Sequence, residues 1–116
     1  MPENLQACER RIRQNEAVFR NILRDMKANR NKRAGGLYVP RDLETEAGLD
    51  EIVGKYLGTP MRSRFTITNF RMPAPDSAIL TFDDIAPLSG GGAELRYKVR
   101  EDGSVEYTGS GGVIMS

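Results

Sequence analysis

The alternation between residues 95 and 108 constrains this chain more than any other feature. Leu95, Tyr97 and Val99 alternate with Arg96, Lys98 and Arg100; beyond Glu101-Asp102-Gly103, Val105 and Tyr107 alternate with Glu106 and Thr108. An apolar/polar period of two marks a strand with one buried face. Parity then selects the turn. A two-residue Asp-Gly turn pairs Val99 with Glu106 and splits the apolar rows between opposite faces. A three-residue loop, Glu101-Asp102-Gly103, pairs Val99 with Val105 and Tyr97 with Tyr107, so both rows share one face. The sequence predicts a hairpin closed by a type I turn, with Gly103 left-handed in a bulge. Its apolar face needs a cover.

The same period begins after residue 61. Phe65 and Ile67 alternate with Arg62, Arg64, Thr66 and Thr68. Ser77 to Phe82 is apolar on both faces, as a central strand is. Pro73 and Pro75 make the link 71–76 a stiffened loop. The glycine-rich tail from Gly109 is expected to continue the last strand past a bend, with Val113 and Met115 keeping the inward parity of Val105 and Tyr107.

The cover comes from residues 1–33. Leu5, Cys8, Ile12, Phe19, Ile22 and Met26 recur in steps of three and four if Asn15 fills the gap, a seam of about three heptads. Val18 and Leu23 widen its second half. With no internal Gly or Pro after Pro2, the pattern predicts one long helix, stopped by a left-handed cap at Gly35-Gly36. Leu37-Tyr38-Val39 reads as a short extended piece. Ile52, Val53, Tyr56 and Leu57 form the stripe of a second, short helix over 48–58, capped by Asp50 and weakened by Gly54.

The expected architecture is a single α+β domain spanning 1–116: a long N-terminal helix and a short second helix packed on a four-stranded antiparallel β-meander over 61–116. This layout is similar to the small helix-plus-curved-sheet folds of the cystatin and nuclear-transport-factor type. The similarity is one of architecture and implies no function.

Several chemistries are disfavoured. The chain has no histidine, which removes the commonest general base and transition-metal ligand. Its one cysteine, Cys8, sits on the helix seam without a CxxC neighbour and reads as a small buried hydrophobe. Ser89-Gly90-Gly91-Gly92 and Gly109–Gly112 lack the helix and Lys-Thr/Ser of a phosphate-binding loop. The carboxylates Asp83-Asp84, Glu44/Glu46 and Asp50-Glu51 read as solvated loop charge. No enzymatic activity, cofactor or metal is expected. No apolar run spans a bilayer and no apolar leader opens the chain, so the expected location is cytoplasmic.

Charge is distributed unevenly. The net charge is +1, yet residues 1–33 carry nine Lys/Arg against four Asp/Glu. Arg13, Arg20, Arg24 and Lys27 line a stripe beside the seam. Three surfaces follow as candidates: a helix seam of Leu5, Cys8, Ile12 and Asn15 for a partner or a second copy; a basic sheet face of Arg62, Arg64, Arg96, Lys98 and Arg100; and a pocket between helix and sheet lined by Phe65, Phe82, Tyr97 and Tyr107. The leading functional expectation is a small protein-interaction module that binds another protein or itself. A small-molecule pocket is the alternative. Nucleic-acid binding ranks last, because the basic face lacks stacking aromatics.

Overall fold

The computed structural model describes residues 2–58, 65–84 and 92–113. Three helices, α1 (Pro2–Gln14), α2 (Glu16–Ala28) and α3 (Leu49–Tyr56), precede four strands, β1 (Phe65–Ala74), β2 (Ser77–Asp84), β3 (Gly92–Val99) and β4 (Val105–Val113). The strands form one antiparallel sheet in the order β1-β2-β3-β4, an α+β meander. Among the described residues no helix is long and apolar enough to cross a membrane.

The hairpin β3–β4 has the predicted register. Val99 faces Val105 and Tyr97 faces Tyr107. Gly103 adopts φ 87° and donates its N–H to the Arg100 carbonyl at 2.9 Å, while Arg100 N–H reaches Ser104 O at 2.9 Å. β4 continues through the glycine tract, but a bulge after Tyr107 places Gly109 opposite Arg96. The alternation of faces along β4 reverses at that bulge. The side chains of Val113 and Met115 lie outside the described residues. So do Arg62, Arg64 and the Ser89–Gly91 run. β1 also runs further than expected, through Pro73, which an edge strand tolerates. The link to β2 is therefore a tight turn at Pro75-Asp76.

The single long helix over 1–33 is corrected to two helices meeting at Asn15 (φ −129°, ψ 46°). Asn15 supplies its own alternative to helical bonding, as short polar side chains do. Its Nδ2 and its backbone N–H both donate to the Arg11 carbonyl at 3.0 Å. A straight helix of about 30 residues would run roughly 45 Å, longer than the 40 Å greatest extent of the molecule. The break lets α1 pack on β1 while α2 crosses towards β4. Both halves of the seam thereby reach one core: Cys8, Ile12, Phe19, Ile22, Leu23 and Met26 lie against Phe70, Leu80, Phe82, Leu95 and Tyr97. Phe19 and Phe70 meet edge to face at 5.7 Å between centroids.

After α2 the chain makes two 3₁₀ turns, Arg30–Lys32 and Gly36–Tyr38. The second replaces the extended piece expected at Leu37-Tyr38-Val39. Gly35 is left-handed (φ 71°), as the glycine pair suggests. Residues 37–46 then run back along α2 as a strap held by the cationic stripe of that helix. Arg20 donates to Thr45 O (2.6 Å), Arg24 to the Glu46 carboxylate (3.0 Å), Lys27 to Leu43 O (2.6 Å), and Arg30 to Val39 O and Leu37 O. Val39 and Leu43 are thereby held in the core. The short helix α3 follows, capped by Gly48 rather than Asp50, since Glu51 and Ile52 donate to the Gly48 carbonyl. Asp50 sits in its first turn, 2.7 Å from Arg13 of α1. Beyond α3, Gly58 N–H reaches Ile67 O (3.0 Å) and Arg11 reaches Phe70 O (2.7 Å), so two carbonyls of edge strand β1 are occupied.

One polar cluster joins helix, loop and sheet. Asp25 of α2 accepts from Tyr97 Oη (2.5 Å), from Arg33 Nε and Nη2 (2.8 and 2.9 Å) and from Asn29 Nδ2 (3.1 Å). The Arg33 guanidinium lies 3.9 Å over the Tyr107 ring. Burial raises the Asp25 pKa, but bonds from Arg33, Tyr97 and Asn29 outweigh it and hold the carboxyl below its ordinary value. Burial first, and then Asp25, push the Tyr97 hydroxyl well above its usual range.

These shifts set the pH response. A depressed Asp25 contributes stability that is complete above the unfolded carboxyl value of about 3.9. That contribution is lost as pH falls through the folded pKa. A raised Tyr97 contributes stability that is complete below about pH 10 and lost as pH rises beyond it. Urea unfolding across pH should therefore decline on both flanks. Asp25→Asn should lower the neutral plateau by about 2–3 kcal/mol, because Arg33 loses its carboxylate. Tyr97→Phe should flatten the alkaline flank; an unaltered flank would assign it to another group. Gly54 is exposed in α3 and a Cβ there meets nothing within 4 Å. Gly54→Ala should accordingly raise stability by about 0.5–1 kcal/mol, read from the same unfolding curves.

Candidate functional site

The helix seam is not a surface. Cys8 and Ile12 are 1% and 0% exposed within the core. Leu5 is half-buried, its methyl groups so close to Gly58 that a Cβ there would come within 2.8 Å. Asn15 is turned onto Arg11 O. The break at Asn15 carries α1 down onto β1, so the chain's own sheet occupies the face assigned to a partner or a second copy. Burial also raises the Cys8 thiol pKa, against the smaller opposing effects of the Phe70 backbone and Arg11. Cys8 should consequently react with a thiol reagent at least about a hundredfold more slowly in native protein than in urea; comparable rates would show α1 detaching from the sheet.

The expected aromatic pocket is filled. Phe65, Phe82 and Tyr97 are at most 1% exposed. Phe65 and Phe82 pack at 4.8 Å between centroids, Tyr97 and Tyr107 edge to face at 5.6 Å. Tyr107 is half-buried beneath Arg33, with its hydroxyl on Ser110. These rings form core, and the described clefts lie elsewhere.

Arg96, Lys98 and Arg100 are exposed on the outer face of the sheet. Much of their charge is matched: Glu94 lies between Arg71 (3.1 Å) and Arg96 (2.9 Å), and Arg100 pairs with Glu106 at 2.6 Å. Lys98 faces Glu106 across the β3–β4 ladder. This interleaving of signs suits a solvated sheet face better than a track for a phosphate backbone.

What the fold does bring together is an open cleft of about 600 Å³ at the turn end of the sheet. The break at Asn15 forms one wall and the β1–β2 and β3–β4 turns form the others. Two bonds fix the walls: Val99 N–H to Asp76 O at 2.8 Å, which ties the turns together, and Asn21 Nδ2 to Gly103 O at 2.8 Å, which ties α2 to the second turn. Val18 and Val99 lie at its floor, 7% and 8% exposed, flanked by half-buried Met72 and by Pro75. Asp76 and Glu101 are exposed on its rim. Neither has an ion-pair partner among the described residues, and the neighbouring Arg100 is turned to Glu106. Asp102, in the same turn, is held below its usual pKa by the hydroxyl and N–H of Ser104. The cleft is thus apolar at its base and carries Asp76 and Glu101 at its mouth, with Arg100, paired to Glu106, also along its lining.

Among the described residues no three His, Cys, Asp or Glu side chains gather in a metal-binding arrangement. Sequence reasoning placed Val99 on the inner face but had no means of joining it to Val18, Met72 and Asp76, which belong to three other segments. Comparison with protein-family models, with curated proteins and with solved structures gives no match to this chain.

Proposed function

We propose that this chain is a small protein-binding module, and that its cleft receives a partner segment carrying an apolar side chain flanked by Lys or Arg. One observation carries the reading: nearly buried Val18 and Val99 form the floor beneath two carboxylates, Asp76 and Glu101, that have no ion-pair partner among the described residues. Apolar burial supplies affinity at such a site, and charge complementarity selects the partner and speeds its approach. The open trough between two turns suits an extended or helical segment better than a small ligand, which sites usually enclose by 70–90%. A cytoplasmic setting is proposed with it, since the lone Cys8 is free and buried.

The test uses a short fluorescent peptide in which one Leu is flanked by Lys and Arg, and an isomer with Ser in place of Leu. Fluorescence anisotropy should show saturable binding of the first, in a range of roughly 10–100 µM, and at least tenfold weaker binding of the second. The double variant Asp76→Lys, Glu101→Lys alters exposed positions and should weaken the Leu peptide about tenfold while leaving thermal unfolding nearly unchanged; Met72→Glu should weaken it likewise and, because Met72 packs against the core, also lower stability. Equal affinity for the two peptides, indifference to these variants, or no binding at millimolar concentration would each overturn the proposal.

A further inference from the structure

At the other end of the sheet from the cleft stands an apolar side chain with little cover. Leu37 is 69% exposed, and among the described residues no other large apolar side chain is exposed to that degree. A lone surface leucine is ordinary. This one is distinguished by how firmly it is held and by the charge around it. It occupies the second 3₁₀ turn, Gly36–Tyr38. The backbone before it is wedged: a Cβ on Gly35 would come within 2.9 Å of both Ala93 and Phe82, and one on Gly36 would overlap the Arg30 carbonyl. The backbone after it is tied, since Val39 N–H donates to Gly36 O at 3.1 Å and the Val39 side chain is buried. Arg30 donates to the carbonyls of both Leu37 and Val39. Leu37 is therefore presented on a fixed turn, and burying it against a partner spends little ordering entropy on the backbone.

The surroundings of Leu37 are cationic. It shares a depression with Arg30 and Arg33, and no carboxylate is among the described residues that line it. Arg33 is matched by Asp25, whereas Arg30 donates only to main-chain carbonyls. Lys32 is exposed in the preceding 3₁₀ turn, and Arg41 is exposed four residues beyond Leu37. An apolar side chain flanked by Lys and Arg is the chemistry that suits the turn-end cleft, where Val18 and Val99 form a floor beneath Asp76 and Glu101.

The two surfaces cannot meet within one molecule. Gly35 packs on Phe82, near the end of β2, while Asp76 immediately precedes its start. The strand between them holds Leu37 and the cleft roughly 20 Å apart, at about 3.3 Å per residue. We propose that the cleft of one copy receives Leu37 of a second copy, with the cations of the Leu37 turn opposite Asp76 and Glu101. The proposal rests on the cleft's being a docking site for apolar, cation-flanked segments, and it names the partner as this chain itself. Because the contact joins two unlike surfaces, copies add head to tail, giving a ring or an open chain.

Sedimentation velocity of the full chain at low salt, over a concentration series reaching about 1 mM, reads the contact directly. Average mass should rise with concentration, with a dissociation constant of roughly 50–500 µM per contact. Added salt should reduce the rise. Leu37→Asp and the double variant Asp76→Lys, Glu101→Lys alter exposed positions on the two opposing surfaces, and each alone should sediment as a monomer throughout. Mixed, they should form a one-to-one complex and nothing larger, because Leu37 of the double variant still finds the intact cleft of Leu37→Asp. A wild-type chain that stays monomeric across the series, association indifferent to Leu37→Asp, or no complex in the mixture would overturn the proposal. The fluorescent Leu peptide separates the two levels. A chain that stays monomeric yet binds the peptide overturns self-association alone, whereas one that does neither overturns the docking cleft as well.

Discussion

The Asp25 carboxylate is the point on which the rest of the arrangement turns. It belongs to the last turns of α2, yet its partners come from the loop that follows (Arg33) and from the third strand (Tyr97). Arg33 is positioned in turn over Tyr107 of β4. One carboxylate therefore fixes how α2 crosses the sheet and where the chain goes after leaving it. A partly buried anion costs desolvation, and only bonds to its charged form offset that cost. Asp25 has four such bonds from three side chains, and its depressed pKa reports that they prevail. Once Arg33 is pinned, Gly35 and Gly36 must turn tightly against Phe82, Ala93 and the Arg30 carbonyl. The strap 37–46 then falls within reach of Arg20, Lys27 and Arg30.

Much of the fold was legible because it rests on local periodicity. The β3–β4 register followed from parity alone, and Gly103 adopts the left-handed conformation that parity required. The stripe Ile52, Val53 and Tyr56 foretold a helix that is present. The helix break was half visible: Asn15 was the one polar interruption of the seam, and polarity there marks either a buried partner contact or a place where the helix stops. Only the sheet decides, because a break lets both halves of the seam be buried at once. The cationic stripe was visible too, but its role was not. Arg20, Lys27 and Arg30 donate to main-chain carbonyls, and carbonyl acceptors carry no mark in a sequence. The cleft at the turn end was illegible for a different reason: Val18, Met72, Asp76 and Val99 come together only when two turns and a helix break meet.

The pattern of pairing separates the charges that remain. Along the middle of the molecule cations meet carboxylates: Arg13 with Glu9 and Asp50, Arg20 with Glu16, Arg24 with Glu46, and Arg71 and Arg96 with Glu94. Such exposed pairs each contribute little to stability. Their larger effect is to cancel the field between the ends. Among the described residues, Asp76, Glu101 and Asp102 at the turn end have no ion-pair partner, and neither does Arg30 in the cleft at the other end. Asp76 precedes β2 and Phe82, against which Gly35 packs, lies near its far end. Six residues of strand separate them, roughly 20 Å at about 3.3 Å per residue. Screening at physiological salt acts over about 8 Å. Each end is therefore sensed separately by whatever approaches it. A net charge of +1 thus conceals an uneven distribution of charge between the two ends of the molecule.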